Sequence, residues 1–245
     1  MSESTDDKFL NGRVIVRQLA RGFRSGLDAV MLAAAVPASR SDELLEQGSG
    51  VGVASLCVAA RVSDCSIVGL EIDPALAEIA NENARANEMD ARVRFAAGDA
   101  FVPPETLRHS FAHVFSNPPF HGADGETSPD ASRELALRDD GRLADWFTAG
   151  MKRVVSGGTL TAIIRADRLG EALAALPERG VAIFPLWPRA GEPAKRVILQ
   201  AAKGSRAPNA LLAGLVLHES DGRYTREADA ILRDGASLAL AKPRL

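Results

Sequence analysis

The chain has 245 residues, 46% apolar and 25% charged, with a formal net charge of −3 and two cysteines. These values describe one α/β domain with appendages and a sizeable core. They exclude a disulfide framework, a cysteine-based zinc cage and a protein that coats nucleic acid through bulk positive charge.

In chain order, the opening MSESTDDKFL is acidic and polar where a secretory signal is basic and then apolar, and no run long and apolar enough to cross a membrane follows. A cytoplasmic protein with no membrane segment is therefore expected. Asn11-Gly12 before an apolar stretch predicts a hairpin or turn entering a strand. Leu27 to Val36 are strong helix formers, and Pro37 ends that helix. DELLEQ leads into Gly48, Ser49, Gly50 and Gly52, then the helical VASLCVAARV, then SIVGLEID, an apolar run closed by acids. Asp73 reads as an N-cap with Pro74 at the first helical position, opening a helix to about Asn87. Strands follow at ARVRFAA, AHVFS, TLTAII and KRVILQAA. Such alternation gives a mostly parallel sheet with helices on both faces. The polar segment from Gly122 to Arg142 is a long surface loop of a length that is often functional.

The run Glu46-Gln47-Gly48-Ser49-Gly50-Val51-Gly52 lies at a strand-to-helix turn, where missing side chains admit a ligand and helix amides point at it. A dinucleotide fingerprint requires G-x-G-x-x-G, but the third glycine comes one residue early, with Val53 after Gly52. The turn therefore favours a single nucleoside over NAD, although an NAD-dependent oxidoreductase would also keep Gly48 to Glu71. Glu71 stands 21 residues after Gly50, where a carboxylate can accept both hydroxyl protons of a ribose. Asp99, after the third strand, either accepts from an adenine amino group or forms a turn.

Ser116-Asn117-Pro118-Pro119-Phe120 follows the fourth strand directly. Two prolines remove backbone donors and leave carbonyls that only accept, and Asn117 adds a side-chain carbonyl. Such acceptors can hold both protons of a planar NH2 group and aim its lone pair at a methyl donor, while Phe120 can stack on the ring. His121 is either a base or a surface loop residue. No metal site is expected. RNA contact would need a local basic patch: Arg13, Arg17, Arg21 and Arg24, or Lys152 and Arg153, or Arg189, Lys195 and Arg196, each equally readable as a solvated face.

The glycine turn, Glu71, Asp99 and NPPF in this order resemble the class I amino-methyltransferases, and within them the bacterial tRNA (adenine-N6) methyltransferase family, which modifies the adenosine beside the anticodon of tRNA(Val). The resemblance implies a Rossmann-like, seven-stranded, mostly parallel sheet with its last strand antiparallel. It also implies S-adenosylmethionine as cofactor, Asn117, Pro118, Pro119 and Phe120 as catalytic residues, and tRNA as partner. GFRSGLDAVMLAAAVPA is similar to a front segment of that family, which puts Ser25, Gly26 and Asp28 near the methionine end of the cofactor. Residues 1–40 then form a hairpin and helix completing the cofactor site, and 41–245 the methyltransferase domain. NPPFH is also similar to the ribosomal RNA guanine-N2 methyltransferases, and NPP to the protein-glutamine methyltransferases of release factors.

Overall fold

The computed structural model describes residues 4–20, 24–119 and 142–240. Phe120, His121, Arg21 and the polar segment up to residue 141 lie outside the described residues.

A hairpin of β1 (Ser4–Phe9) and β2 (Val14–Leu19) opens the described chain. Its turn uses Asn11 and Gly12 at positive φ, the conformation that the Asn-Gly pair predicts. In β2 the side chains of Val14, Val16 and Gln18 alternate inward. Helix α1 (Leu27–Ala35) ends before Pro37 as expected, and the α/β alternation follows: β3 (Glu43–Gln47), α2 (Val53–Arg61), β4 (Ser66–Glu71), α3 (Pro74–Ala86), β5 (Val93–Ala97) and β6 (Phe111–Ser116). Asp73 caps α3 by accepting from the Ala75 amide. Then come α4 (Leu143–Arg153), β7 (Val154–Arg165), α5 (Leu169–Ala175), β8 (Val181–Trp187), β9 (Arg196–Ala202), the two-residue strands β10 (Ala210–Leu211) and β11 (Leu215–Val216), and α6 (Arg226–Asp234).

Seven of these strands run in the order β8-β9-β7-β6-β3-β4-β5, with β9 antiparallel to both neighbours and the other pairs parallel. The expectation of seven strands needs correction. Among the described residues the main sheet has nine, because β10 and β11 both add in parallel to the outer edge of β8. These two-residue pieces carry too little periodicity to read from sequence, yet they cover an edge that would otherwise present unpaired backbone. Strand β8 was also illegible, since Pro185 demotes an apolar run. The Val181 amide and the Ile183 carbonyl both face the outer side, so by alternation the missing amide of Pro185 falls there too, between the stretches paired to β10 and β11.

One core cluster lies between the sheet and α1, α2, α3 and α6, with Phe115, Ile163 and Ile198 contributed by the strands. The other, including Leu45, Val114 and Leu160, is covered by α4 and α5 through Leu143, Phe147 and Ala172. The asparagines of α3 and its C-cap complete the edges. Asn81 exchanges two hydrogen bonds with the backbone of Phe95 in the edge strand β5, Asn83 does so with Arg17, and Asn87 with Ile15. Helix side chains thus replace the strand partners that β5 and β2 lack. The strand order reverses at β3, so the crevice for a ligand opens at the carboxyl ends of β3 and its neighbours.

Candidate active site

At the end of β3 the chain turns into α2 through Gly48, Gly50 and Gly52, all at positive φ. A Cβ on Gly52 would stand 2.5 Å from the Phe95 ring, so that glycine is required by packing. Gly50 differs. No described residue lies within 4 Å of its Cβ position, which leaves that side of the turn open.

Two carboxylates hold this turn. Glu46, fully buried, accepts from both the amide and the hydroxyl of Ser55, capping the first turn of α2 from the preceding strand. Burial, opposed by those bonds, pushes its carboxyl up to about 8. Glu71 accepts from the Gly50 amide at 2.8 Å and from the Asp73 amide at 3.0 Å, and burial raises its pKa as well. Glu46 thus supports the turn from behind, and Glu71 closes it from the side of β4. Ile72, directly after Glu71, is 60% exposed, an apolar face beside a carboxylate. Asp99 accepts from the Phe101 amide in a tight turn. Phe101 meets the Trp146 ring edge-on at 5.5 Å and lies under the Arg142 guanidinium, while Trp146 packs over Gly48. Trp146 escaped the sequence reading because an aromatic on an amphipathic helix ordinarily signals core.

Gln47 pairs in register with Ser116, so Gly48 and Asn117 leave the ends of adjacent parallel strands, about 5 Å apart. The Asn117 Oδ1 is buried and has no hydrogen-bond partner among the described residues; the same holds for the Ser49 hydroxyl and the Gln47 amide. A buried acceptor without a donor costs about 1–3 kcal/mol, so the Asn117 Oδ1 is a candidate contact for a polar ligand. Pro118 is buried and Pro119 half-buried.

Ser25 and Gly26 precede α1, whose N-terminus has no side-chain cap. The Gln18 amide holds the Ser25 backbone, and Asp28 in the first turn of α1 pairs with Arg196 at 2.9 Å. Arg196 opens β9, beside the carboxyl end of β7, so α1 begins at the same edge of the sheet as the glycine turn. Arg189 is exposed and paired with Glu192, and Lys195 is exposed. Among the described residues no group of three metal-ligating side chains could hold an ion, and no helix is long and apolar enough to cross a membrane.

The methyltransferase small domain family matches residues 26–164. The tRNA1(Val) (adenine(37)-N6)-methyltransferase of Aeromonas salmonicida is 30% identical over 210 residues, 82% of this chain and 84% of that protein. The enzyme of the same name from Haemophilus influenzae is 24% identical over 226 residues, 89% and 94% of the two chains. Among solved structures, a predicted O-methyltransferase from Agrobacterium tumefaciens superposes with a TM-score of 0.72 at 28% identity, over 86% of this chain and 98% of the other. Glycine turn, sheet order and relatives agree, and they leave no place for the NAD-dependent alternative: the chain belongs to the methyltransferase small domain family and is an S-adenosylmethionine-dependent methyltransferase.

Proposed function

We propose that the protein methylates the exocyclic N6 amine of adenine in tRNA, in the cytoplasm. The observation that carries this reading is the buried Oδ1 of Asn117 at the end of β6, without a donor among the described residues and followed by two prolines whose carbonyls can only accept. An NH2 group offers two protons to such a set. Accepting both draws the nitrogen toward tetrahedral geometry and frees its lone pair. Once that lone pair has taken the methyl carbon in line, with the electrons of the broken S–C bond left on sulfur, the nitrogen is cationic and acidic, so water can remove its proton without a strong base, and catalysis rests on orientation and preset dipoles. The names of the two relatives point to the same substrate, while the named activity of the Agrobacterium protein is the competing reading.

S-adenosylmethionine, when bound, supplies an electrophilic methyl on a sulfonium. In this assignment Glu71 and the turn at Gly48, Ser49, Gly50 and Gly52 hold the nucleoside, with Glu46 fixing the turn. Asp99 and the exposed Ile72 face the base, and Ser25, Gly26 and Asp28 close the methionine end, so that residues 1–40 complete the site of the domain at 41–245. Phe120 stacks on the target ring. Lys195 and Arg189 are the first RNA contacts to test.

Incubation with labelled cofactor and total tRNA or ribosomal RNA from cells lacking the enzyme, followed by mass spectrometry of nucleosides, tests the reading. N6-methyladenosine in tRNA is expected. N2-methylguanosine in ribosomal RNA, or label only in protein or in a small hydroxyl compound, would overturn it.

A further inference from the structure

The hairpin does more than cover a core face. Gln18 at its end is 1% exposed, and its amide holds both backbone groups of Ser25: Oε1 accepts from the Ser25 amide at 2.9 Å, and Nε2 donates to the Ser25 carbonyl at 3.1 Å. The same Nε2 reaches Asp7 Oδ2 at 2.6 Å, the oxygen on which the Arg24 guanidinium also closes. One residue back in β2, the Arg17 backbone is bound by Asn83, whose Nδ2 also donates to the Val51 carbonyl inside the glycine turn at 3.0 Å. A continuous path of hydrogen bonds and one strand therefore joins Ser25 to the turn between Gly50 and Gly52, although 25 and 50 lie on different elements.

We propose that Gln18 is a positioning residue for cofactor binding: by fixing the Ser25 backbone relative to the glycine turn, it sets the front wall of the cofactor site. The inference rests on the reading that Ser25 to Asp28 close the methionine end. A buried amide that satisfies both backbone groups of one residue acts on that residue as a strand partner would, and preorganising a binding segment removes the cost of ordering it on binding. Loss of the amide leaves the segment attached but free to wander, so the penalty falls on affinity more than on the fold. Asn87 supplies the control. It docks the same strand to α3 through Ile15, at the far end from Ser25.

Calorimetry with S-adenosylhomocysteine, which binds without turnover, and thermal melts on Gln18→Leu, Gln18→Glu, Asn87→Ala and Asp28→Ala test this. Gln18→Leu is expected to raise Kd about tenfold, and Gln18→Glu, which keeps the acceptor for the Ser25 amide but sets a carboxylate oxygen against Asp7 and the Ser25 carbonyl, at least as much. In steady state the loss should appear in KM for the cofactor, with kcat at saturation little changed. Asn87→Ala should lower Tm comparably yet bind as the wild type does. Equal weakening in Asn87→Ala would reduce Gln18 to a stabiliser of the hairpin and overturn the proposal. Weakening by Asp28→Ala with unchanged Gln18→Leu and Gln18→Glu would overturn the role of Gln18 alone. If all four variants bind normally, the front segment is not part of the site, and its assignment fails together with that of Gln18. Should Gln18→Leu not fold, the nearly isosteric Gln18→Glu against Asn87→Ala decides.

Discussion

Asp28 and Arg196, separated by 168 positions, meet at 2.9 Å and tie the start of α1 to the start of β9. Both side chains are largely covered, so the pair is a strut at the carboxyl edge of the sheet as well as a surface charge. Arg196→Ala is expected to cost about 1 kcal/mol of stability and to weaken the cofactor, while leaving the salt dependence of RNA binding nearly unchanged. Lys195→Ala should instead reduce that slope by about one, the loss of a single phosphate contact. Filter binding across a salt series, with melts of each variant, checks both statements.

Asn117→Ala removes an acceptor that has no donor among the described residues, so its effect should appear as the amine rehybridises. The turnover number is expected to fall by about 10²-fold or more with cofactor Kd within about twofold. Single-turnover methyl transfer and calorimetry measure the two parts. Near wild-type turnover on the true substrate would remove the acceptor mechanism.

Glu46 makes stability depend on pH. Its folded pKa, about 8, lies above the ordinary 4.5, so across that window the folded state holds a proton that the unfolded chain releases. The contribution is fully present below about pH 4.5 and is lost as pH rises toward 8, with a slope of at most about 1.4 kcal/mol per pH unit. Glu71 is shifted in the same direction. Glu46→Gln should flatten this decline without abolishing it. Urea unfolding at several pH values between about 5 and 8 reads the slope; equal slopes in both proteins would show that Glu46 is ionised in the fold.

Two glycines four ångströms or less from a neighbour and in open space, respectively, should fail differently. Gly52→Ala drives a methyl into the Phe95 ring at φ +90 and is expected to cost about 2–4 kcal/mol of stability. Gly50→Ala meets no described residue, so a cost of about 1 kcal/mol from its positive φ should accompany a much larger loss of cofactor affinity. Denaturation and calorimetry on the pair separate packing from ligand clearance.

Cys57 and Cys65 are both buried, and desolvation holds both thiols protonated, with Cys57 pushed up to about 12. Neither should react with iodoacetamide in the native protein over minutes, and both should react after denaturation. Peptide mass spectrometry distinguishes the two states.

Short-range rules were enough for the hairpin turn at Asn11-Gly12, the cap at Asp73, the stop at Pro37 and the alternation that gives the parallel sheet, because each depends on local φ/ψ preference or side-chain period. The methyltransferase assignment was legible for a similar reason: the glycines, Glu71 and NPP that suggested it are contiguous or sit at strand ends. Other features needed the fold. No local pattern places Gln18 against Ser25 or Asn83 against Val51, since a polar residue on a strand or helix ordinarily reads as solvent-facing. The basic cluster at Arg189, Lys195 and Arg196 looked uniform in sequence, but packing gave each member a different fate: Arg189 is paired with Glu192, Lys195 is exposed, and Arg196 is bound to Asp28. The chain alone determined the methyltransferase class and the residues proposed for its site. Tertiary structure decided which of them are already satisfied, because hydrogen bonding and burial are settled between elements far apart in sequence.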